Sequence, residues 1–343
     1  MKLCKSLLTY LLIASAFLPL VSCAESRKKY TKTVYDYFDT VITVTGYADR
    51  ESDFTEAADL VSGILAEYHR VSDAYTPGGD DTLYALNLAA GQYPVAVGAE
   101  LFSLLSFARD MCIATDGAMN PMLGGAVFLW QEAMRDTQNG DPHIPDAAAL
   151  EDARQHSDIA SLVLDPENGT AFIRDGAAKA ELGAVAKGYA VEKAAAALTA
   201  AGYDGYIIDA GGNIRTVGRK PGNASFIIGV RSPFGGNYIA TLPLCDAACV
   251  TSGSYIRTFT VDNQEYHHLL DPDTAMPARR YVSVSVTAAD SGIADALSTA
   301  LFVLPYEDGL PLIRQYNASA LYIFPDGRIV ATDGSPFSVN ESQ

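Results

Sequence analysis

The sequence predicts an α+β fold in which mixed or antiparallel sheets pack with helices, and it argues against a Rossmann fold. Helical and strand patterns are mixed along the 343 residues without the regular alternation of a doubly wound sheet. Neither GxGxxG nor GxxxxGKS/T occurs. Because 49% of the residues are hydrophobic, the chain can bury one large core or two smaller ones.

Hydrophobic periodicity places the individual elements. Helices are expected over residues 55–68, 99–114, 146–156, 187–201 and 293–304, with Gly202 ending the fourth. Strands are expected over residues 34–47, 161–163, 170–174, 206–208, 214–217, 226–230, 238–242, 281–287, 321–324 and 329–332. The segment 119–130 is apolar and rich in glycine, and residues 137–145 are polar and expected to be exposed.

The chain is strongly acidic, with 41 Asp and Glu, 24 Lys and Arg, and a formal net charge of −17. This charge argues against binding nucleic acid, and against binding an anionic membrane by charge. An anionic ligand would therefore need a metal ion or backbone N–H groups to offset the repulsion locally.

The N-terminus has the pattern of a targeting segment. Lys2 and Lys5 precede an apolar run that is short for a bilayer span and closes in Leu-Val-Ser-Cys23. This ending resembles a bacterial lipobox, whose cysteine is lipidated; the alternative is an ordinary signal peptide with a chance cysteine. The lipobox interpretation predicts export, with a lipid anchor holding the protein on a bacterial membrane facing the periplasm or cell exterior. We expect a signal peptide over residues 1–22, a lipidated tether over 23–33 and a folded domain over 34–343.

Three cysteines, Cys112, Cys245 and Cys249, would remain in the mature chain. Their odd number excludes a fully paired disulfide framework. Cys245 and Cys249 could pair in an oxidising compartment or could be small buried residues. No Cys/His spacing indicates zinc.

Two glycine-rich corners predict a site for a phosphorylated ligand. The first, Glu181-Leu-Gly-Ala-Val-Ala-Lys-Gly-Tyr189, leads into a helix and carries the acid Glu181 and the base Lys187. A helix N-terminus favours anions because its N–H groups are unpaired and its dipole is positive there. The second, Asp209-Ala-Gly-Gly-Asn213, follows a strand about twenty residues later. Neither corner is specific by itself.

Asp295, Ser298 and Thr299 share one face of the predicted helix 293–304, since they are spaced at i, i+3 and i+4. A carboxylate and hydroxyls form the hard oxygen cluster that suits Mg²⁺, which commonly shares a substrate phosphate. The alternative is that Asp295 only complements the helix dipole in the first turn.

Tyr266-His-His-Leu-Leu-Asp-Pro272 offers His268 and Asp271 near a reacting group. Histidine is the usual general base because its charge changes near neutral pH. The alternative is a strand that leads into an Asp-Pro turn.

Four further features are weaker. Phe38 and Tyr75 could stack on a flat ligand or pack in the core. Residues 251–255 offer hydroxyls to a phosphate or form a solvated turn, and residues 116–120 present backbone groups to a ring or cap a helix. Arg257 is interpreted as a cation on a strand face.

The order of these motifs resembles that of the ApbE-type FAD:protein FMN transferases, the flavin-trafficking lipoproteins of bacteria. The resemblance covers about residues 34–337, nearly the whole mature chain. Its markers are Phe38-Asp-Thr40, Tyr75 before Leu86-Asn87, Asp116-Gly-Ala-Met-Asn120, Glu181-Leu-Gly-Ala-Val-Ala-Lys-Gly188, Ala210-Gly-Gly-Asn213, Thr251-Ser-Gly253, His268-Leu-Leu-Asp-Pro272 and Ala294-Asp-Ala-Leu-Ser-Thr299.

The resemblance implies a single large ApbE-like catalytic unit. Such proteins bind FAD as substrate with Mg²⁺, move the FMN half to a threonine or serine of a target protein, and release AMP. The implied partner is an acceptor flavoprotein, an exported protein or a membrane redox subunit. Two alternatives remain: an FAD pyrophosphatase, and a non-catalytic flavin-binding lipoprotein that would not need the Asp295/Thr299 helix.

The resemblance also assigns residues. The metal ligands would be the Ala184 carbonyl and the side chains of Asp295 and Thr299, with Ser298 nearby. We expect His268 to be the general base, with Asp271 as the second choice. FAD contacts would come from Phe38, Tyr75, Ala118, Met119, Asn120, Glu181, Lys187 and either Leu269 or Leu270.

The sequence departs from the commoner family pattern at four places. Met119-Asn120 stands where Phe-Asp is frequent, Glu181 where Asp is usual, Ala275 where a turn glycine is usual, and Phe38-Asp39 where Met-Gly is usual. These changes bear on the detailed FAD contacts and leave open whether hydrolysis competes with transfer.

Overall fold

The computed structural model describes residues 27–35 and 37–340. The predicted signal peptide and Cys23 lie outside the described residues. Eight α-helices lie within them: α1 (Glu51–Ser72), α2 (Leu83–Leu88), α3 (Ala99–Ala114), α4 (Gly124–Gln138), α5 (Ala147–Gln155), α6 (Ala186–Ala200), α7 (Ser291–Val303) and α8 (Tyr306–Gln315).

The strands are short and numerous. They are β1 (Lys28–Val34), β2 (Ile42–Ala48), β3 (Val95–Ala96), β4 (Leu162–Asp165), β5 (Thr170–Ile173), β6 (Tyr206–Ala210), β7 (Asn213–Val217), β8 (Phe226–Arg231), β9 (Tyr238–Leu244), β10 (Ala248–Gly253), β11 (Thr258–Val261), β12 (Gln264–His267), β13 (Leu270–Asp271), β14 (Met276–Pro277), β15 (Ser283–Ala288), β16 (Ser319–Ile323), β17 (Ile329–Ala331) and β18 (Ser338–Val339).

The centre of the fold is an eight-stranded sheet in the order β1-β2-β6-β7-β10-β15-β16-β17, with every neighbouring pair antiparallel. Helices α1, α6 and α7 pack together on one face of it. The alternation of valine and serine in β15 fits this position: Val284 and Val286 enter the core beneath the helices, and the serines point to the other face.

The other face of the sheet is partly covered by a three-stranded sheet in the order β18-β9-β8. Side chains of β8 and β9, including Phe226, Ile228 and Leu242, form a second core with Leu321 and Ile323 of β16. The remaining strands form a small sheet, β3-β5-β4, and the two hairpins β11-β12 and β13-β14.

The predicted fold class is confirmed: helices pack on antiparallel sheets without parallel βαβ alternation. The predicted tether is wrong over its second half, because Lys28–Val34 is an edge strand paired with β2. The strand predicted over 34–47 is broken by a turn in which Phe38 and Asp39 have φ values of 55° and 50°.

Two smaller predictions can also be compared with the structure. Cys245 and Cys249 are both free thiols, and burial raises the pKa of Cys249 to about 12, as expected for a small buried residue. The polar segment that begins at residue 137 still belongs to α4 up to Gln138. Over residues 27–35 and 37–340, no helix combines the length and apolar character needed to cross a bilayer.

One end of the central sheet gathers the glycine-rich corners. Val34, Ile42 and Ala210 lie at this end in register, whereas Lys28 and Ala48 lie at the opposite end. Helix α6 crosses the sheet face from this end to the opposite end, and β6 then runs back toward Ala210. The N-terminus of α6 therefore lies at the same end of the sheet as Ala210. The turn between β6 and β7 and the chain that follows β10 reach the same end.

Candidate functional site

The first feature of the site is the contact between the N-terminus of α6 and Asp295 of α7. The Gly188 N–H donates to Asp295 Oδ2 at 2.7 Å, and Lys187 Nζ lies 3.7 Å from Asp295 Oδ1. Burial raises the pKa of Asp295, while Lys187, the Gly188 N–H and the Asn213 side chain oppose that rise. The carboxylate is therefore buried between a helix N-terminus and an ammonium group.

A glycine is required at position 188 because α6 and α7 approach closely there. A Cβ built on Gly188 would lie 2.6 Å from the carbonyl oxygen of Ser291 and even closer to the side chain of Asp295. The glycine thus brings the free N–H groups of α6 to the acid.

The Gly188→Ala change is expected to lower the free energy of unfolding by about 1–3 kcal/mol, because the added methyl group overpacks this contact. Thermal or denaturant unfolding measures the effect. The control is Gly63→Ala in α1, where nothing lies within 4 Å of the added Cβ. That change should raise stability by about 0.5–1 kcal/mol. A Gly188→Ala protein as stable as wild type would contradict the close packing.

Two neutral polar groups, the Ala184 carbonyl and the Asn213 side chain, also lie beside this contact. Because the Gly188 N–H is used by Asp295, the Ala184 carbonyl accepts no backbone hydrogen bond from any described residue. Asn213 is fully buried, and its Oδ1 accepts from the Ser291 hydroxyl at 2.7 Å. Its Nδ2 forms no well-aligned hydrogen bond among the described residues, but it lies close enough to Asp295 to oppose the rise of that group's pKa. The Ala184 carbonyl, which has no backbone donor among these residues, is left available to a ligand.

These groups fit a hard cation. Among residues 27–35 and 37–340, no group of three or more His, Cys, Asp or Glu could hold a metal ion. A cation here would instead be held by one carboxylate and neutral oxygens. Asp295, the Ala184 carbonyl and the partly exposed Thr299 supply such oxygens, which suits Mg²⁺.

Ser298 was predicted to lie beside the metal ligands, but its hydroxyl is already hydrogen-bonded within the protein. Its fully buried hydroxyl donates to the Asp295 carbonyl at 2.9 Å and pairs with the Ser252 hydroxyl at 2.8 Å. Both bonds fix α7 on β10. Ser298 therefore packs the helix that carries Asp295 and is not needed as a ligand.

His268 is available as a base. Its Nδ1 lies 3.0 Å from the Ile256 carbonyl and must donate to it, which leaves Nε2 as the unprotonated nitrogen. Burial and the positive charge of Arg257 lower the pKa of His268 to about 4, with smaller contributions from His267 and Lys187. The imidazole is therefore neutral at physiological pH.

The neighbouring His267 has a structural role. Its Nε2 donates to the Ala278 carbonyl at 2.8 Å, and its Nδ1 accepts from the Leu269 N–H at 3.2 Å. Both ring nitrogens are thus occupied inside the protein. Of the two adjacent histidines, only His268 has a nitrogen free for chemistry.

Asp271 caps a turn. Its carboxylate accepts from the Asp273 N–H at 2.9 Å, and its carbonyl accepts from the N–H groups of Thr274 and Ala275. This is the Asp-Pro turn that the sequence offered as the alternative interpretation. Asp271 therefore has a structural role in the turn, and its choice as the second candidate base stays a prediction.

The aromatic side of the site contains Tyr75, Glu181 and Arg257. Burial and the carboxylate of Glu181 raise the pKa of Tyr75. Burial also raises the pKa of Glu181, which the Gly183 N–H, Arg257 and Tyr75 oppose. Tyr75 packs against Phe128 in a tilted arrangement, with ring centroids 5.0 Å apart, and is 44% exposed, so part of its ring faces solvent.

The turn at Phe38 lies on the same aromatic side of the site. The Phe38 N–H donates to His69 Nδ1 at 3.3 Å, and the two rings meet edge to face. Arg257 Nη2 donates to the Phe38 carbonyl at 3.3 Å. Sequence reasoning missed Arg257: it belongs to the turn after β10, with a φ of 52°, and not to a strand face.

Two predicted FAD contacts are limited by burial and a third by its own hydrogen bonds. The side chain of Met119 is 1% exposed and belongs to the core, so only its backbone can face a ligand. Leu270 lies in a core cluster around Trp130. The amide of Asn120 donates to the Ser157 carbonyl and accepts from the Met122 N–H, so it holds its own loop.

Ala118 and Leu269 are each 8% exposed, so the structure gives them only a small surface for a ligand. Asn87 has a clearer role than its place in a motif indicated. Its side chain forms two hydrogen bonds with the backbone of Ala180, at 2.8 and 2.7 Å, and so fixes the chain next to Glu181.

Comparison with known proteins identifies the family of this chain. The model of the ApbE family matches residues 38–323. The chain belongs to the ApbE family. It is similar to the FAD:protein FMN transferase of Treponema pallidum, with 37% identity over 272 residues that cover 74% of each protein. A relative of the same name from Klebsiella pneumoniae is 30% identical over 260 residues, which cover 75% of this chain and 79% of that one.

Solved structures of ApbE proteins share the fold. The ApbE protein of Thermotoga maritima superposes with a TM-score of 0.81 at 28% identity, covering 89% of this chain and 97% of that one. The flavin transferase ApbE of Vibrio cholerae gives a TM-score of 0.75 at 22% identity and covers 90% and 98%, which supports the fold alone. The family predicted from the motifs is confirmed.

Proposed function

We propose that this ApbE-family protein transfers FMN from FAD to a threonine or serine hydroxyl of a second protein and releases AMP. The observation that carries the proposal is His268, a neutral histidine whose Nε2 is free. The charge of Lys187 acts on His268, and Lys187 in turn lies beside the buried Asp295. The names of the relatives support the same activity.

The chemistry requires one proton transfer and one displacement. The acceptor hydroxyl gives its proton to His268 Nε2 while its oxygen forms a bond to the phosphorus on the FMN side. The bond from that phosphorus to the oxygen bridging toward AMP breaks, and AMP leaves with the electron pair. General base catalysis of this kind contributes about a hundred- to ten-thousandfold.

The protein's own groups position and charge-balance the diphosphate. Lys187 and the N-terminus of α6 supply positive charge locally in a chain whose net charge is −17. Mg²⁺ held by Asp295, Thr299 and the Ala184 carbonyl would offset the charge of the phosphoryl oxygens. Tyr75 and Phe38 offer aromatic surface for the flavin.

One experiment tests the proposal. The protein is mixed with FAD, Mg²⁺ and a candidate acceptor domain, and in-gel flavin fluorescence and free AMP are measured. A fluorescent acceptor with AMP is expected. AMP and FMN without labelling would mean an FAD pyrophosphatase, and bound FAD without either product would mean a flavin carrier.

We propose further that Cys23 is lipidated and anchors the exported protein to a bacterial membrane. The lipobox pattern supports this. The first residue of β1, Lys28, follows Cys23 by five positions, and the candidate site lies at the other end of that strand, about 20 Å away. The site would then face away from the membrane. The Cys23→Ser change is expected to move the protein from the membrane fraction to the soluble fraction, and a soluble wild type would contradict the anchor.

A further inference from the structure

Arg257 joins two parts of the candidate site. It follows Ile256, whose carbonyl accepts from His268 Nδ1 at 3.0 Å. Its backbone adopts a φ of 52°, in the left-handed region that non-glycine residues rarely occupy. The turn that positions His268 therefore also positions the side chain of Arg257.

The guanidinium group has donors to spare. Nη2 donates to the Phe38 carbonyl at 3.3 Å. No carboxylate of residues 27–35 or 37–340 forms an ion pair with Arg257 within 4.0 Å, whereas Arg215 is paired with Glu192 at 2.8 Å. An arginine has five N–H donors, so most of those of Arg257 face solvent in the site.

The neighbours of Arg257 identify the ligand it can serve. Its charge lowers the pKa of His268 and opposes the raised pKa values of Glu181 and Tyr75, so the guanidinium lies among these three residues. Lys187, the other cation of the site, lies 3.7 Å from Asp295 and is partly neutralised by it. Arg257 is thus a cation near His268 that has no carboxylate partner within 4.0 Å among the described residues.

A phosphoryl group has the geometry that such an arginine recognises. A guanidinium presents parallel N–H groups that match two oxygens of a phosphate, and bonds between charged partners are shorter and stronger than neutral ones. Phosphoryl transfer also spreads negative charge over the oxygens of the transferred group. Positive charge on the His268 side would stabilise that group where the base acts.

We propose that Arg257 binds the phosphate of the FMN half of FAD, through hydrogen bonds from its guanidinium to the phosphoryl oxygens. The proposal rests on the proposed function for the choice of flavin nucleotide. It makes Arg257 a second contact of the transferred group, on the side of Phe38 and Tyr75, separate from the groups around Asp295.

The test compares two flavins that differ only in this phosphate. The affinities of FMN and riboflavin are measured by calorimetry or flavin fluorescence without added metal, for wild type, Arg257→Gln and Arg257→Lys. The control is Arg109→Gln, which removes an exposed arginine on α3 that pairs with Asp110. Thermal unfolding confirms that each variant is folded.

In Arg257→Gln, FMN is expected to bind about tenfold more weakly or worse, while riboflavin is unaffected. Arg257→Lys should retain part of the FMN affinity, because it keeps the charge and loses the two-oxygen geometry. Arg109→Gln should change neither. An equal loss for both flavins would mean that Arg257 only holds the Phe38 turn, and no loss for either would mean that it has no ligand; both results overturn the proposal.

The binding test is separate from the test of the activity. If wild-type protein labels no acceptor but the FMN affinity depends on Arg257, the transferase proposal fails and the phosphate contact stands. If wild type labels its acceptor and the FMN-to-riboflavin ratio is the same in Arg257→Gln, the phosphate contact fails alone.

Discussion

FMN transfer is expected to fall at least about a hundredfold when Asp295 is replaced by asparagine. Loss of a group that only orients a metal ligand commonly costs 10- to 100-fold, and a direct ligand should cost no less. The amide has the shape of the carboxylate and can still accept from the Gly188 N–H at the position now 2.7 Å away. The loss would therefore report the missing charge and not a collapsed helix contact.

The stability of the Asp295→Asn protein should not fall with its activity. Asp295 is 6% exposed, and a buried carboxylate that is incompletely paired costs free energy. Lys187 keeps 22% of its side chain exposed and can turn to water when its partner is neutral. Without metal, Asp295→Asn should unfold at the same temperature as wild type or higher. Added Mg²⁺ and FAD should raise the unfolding temperature of wild type, by mass action, and Mg²⁺ should add nothing for the variant.

The matched control is Asp308→Asn, which removes an exposed acid from the first turn of α8. It changes the net charge equally and should keep full transfer activity. Full activity in Asp295→Asn, or an unchanged response of that variant to Mg²⁺, would remove the metal from this position.

Sequence pattern predicted the elements whose local signals agree with their packing. The helix expected over 187–201 is observed as Ala186–Ala200, because an alanine-rich run ends at Gly202, whose φ of 80° a side chain would resist. The alternating Val-Ser run of β15 was equally clear, since each valine faces the helices. In these cases the period of the sequence is the period of burial.

Elements that depend on distant contacts were missed. The turn after β1 was not predicted, because Phe38 and Asp39 occupy left-handed conformations that glycine usually adopts. The turn at Ala275 was expected from the sequence, but the φ of 55° at that alanine, whose carbonyl accepts from Trp130 Nε1, was not. The helix α8 contains Gly309 and Pro311, which argue against a helix when read locally. Packing against the core outweighs both.

The candidate site shows the same division. Asp295 and His268 could be proposed because their residue types and spacing carry chemistry. Arg257 could not, because its meaning comes from a contact with Phe38, 219 positions away. Ser298 and Asp271 have suitable chemistry, and hydrogen bonds that local sequence does not reveal also tie them to the fold.

Replacement of His268 by glutamine is expected to lower kcat for FMN transfer by about a hundred- to ten-thousandfold, with little change in FAD affinity. Glutamine can still donate to the Ile256 carbonyl, so the turn should persist, but it cannot take a proton. Transfer assays and FAD titration separate the two effects. The matched control is His267→Gln, which breaks the bonds to Ala278 and Leu269. That variant should lose stability and retain catalysis in proportion to its folded fraction.

The pH dependence of the wild type tests the same assignment. The pKa of His268 is about 4 because of burial and the charges of Arg257, His267 and Lys187. The base is unprotonated above that value, so the acid limb of kcat/KM should fall near pH 4–5 and not near 6.5. A midpoint at 6.5 would mean that another group, or an exposed imidazole, acts as the base.

The stability of the folded protein should also fall as the pH is lowered. The folded pKa of His268 lies below the unfolded value of 6.5, so the unfolded chain binds more protons between these two values. The contribution of neutral His268 to stability is therefore complete above about pH 6.5 and is lost as the pH falls toward 4. His268→Gln should remove this part of the acid sensitivity, whereas activity should stay low at every pH. A variant that regained activity at higher pH would show that His268 only tunes a different base.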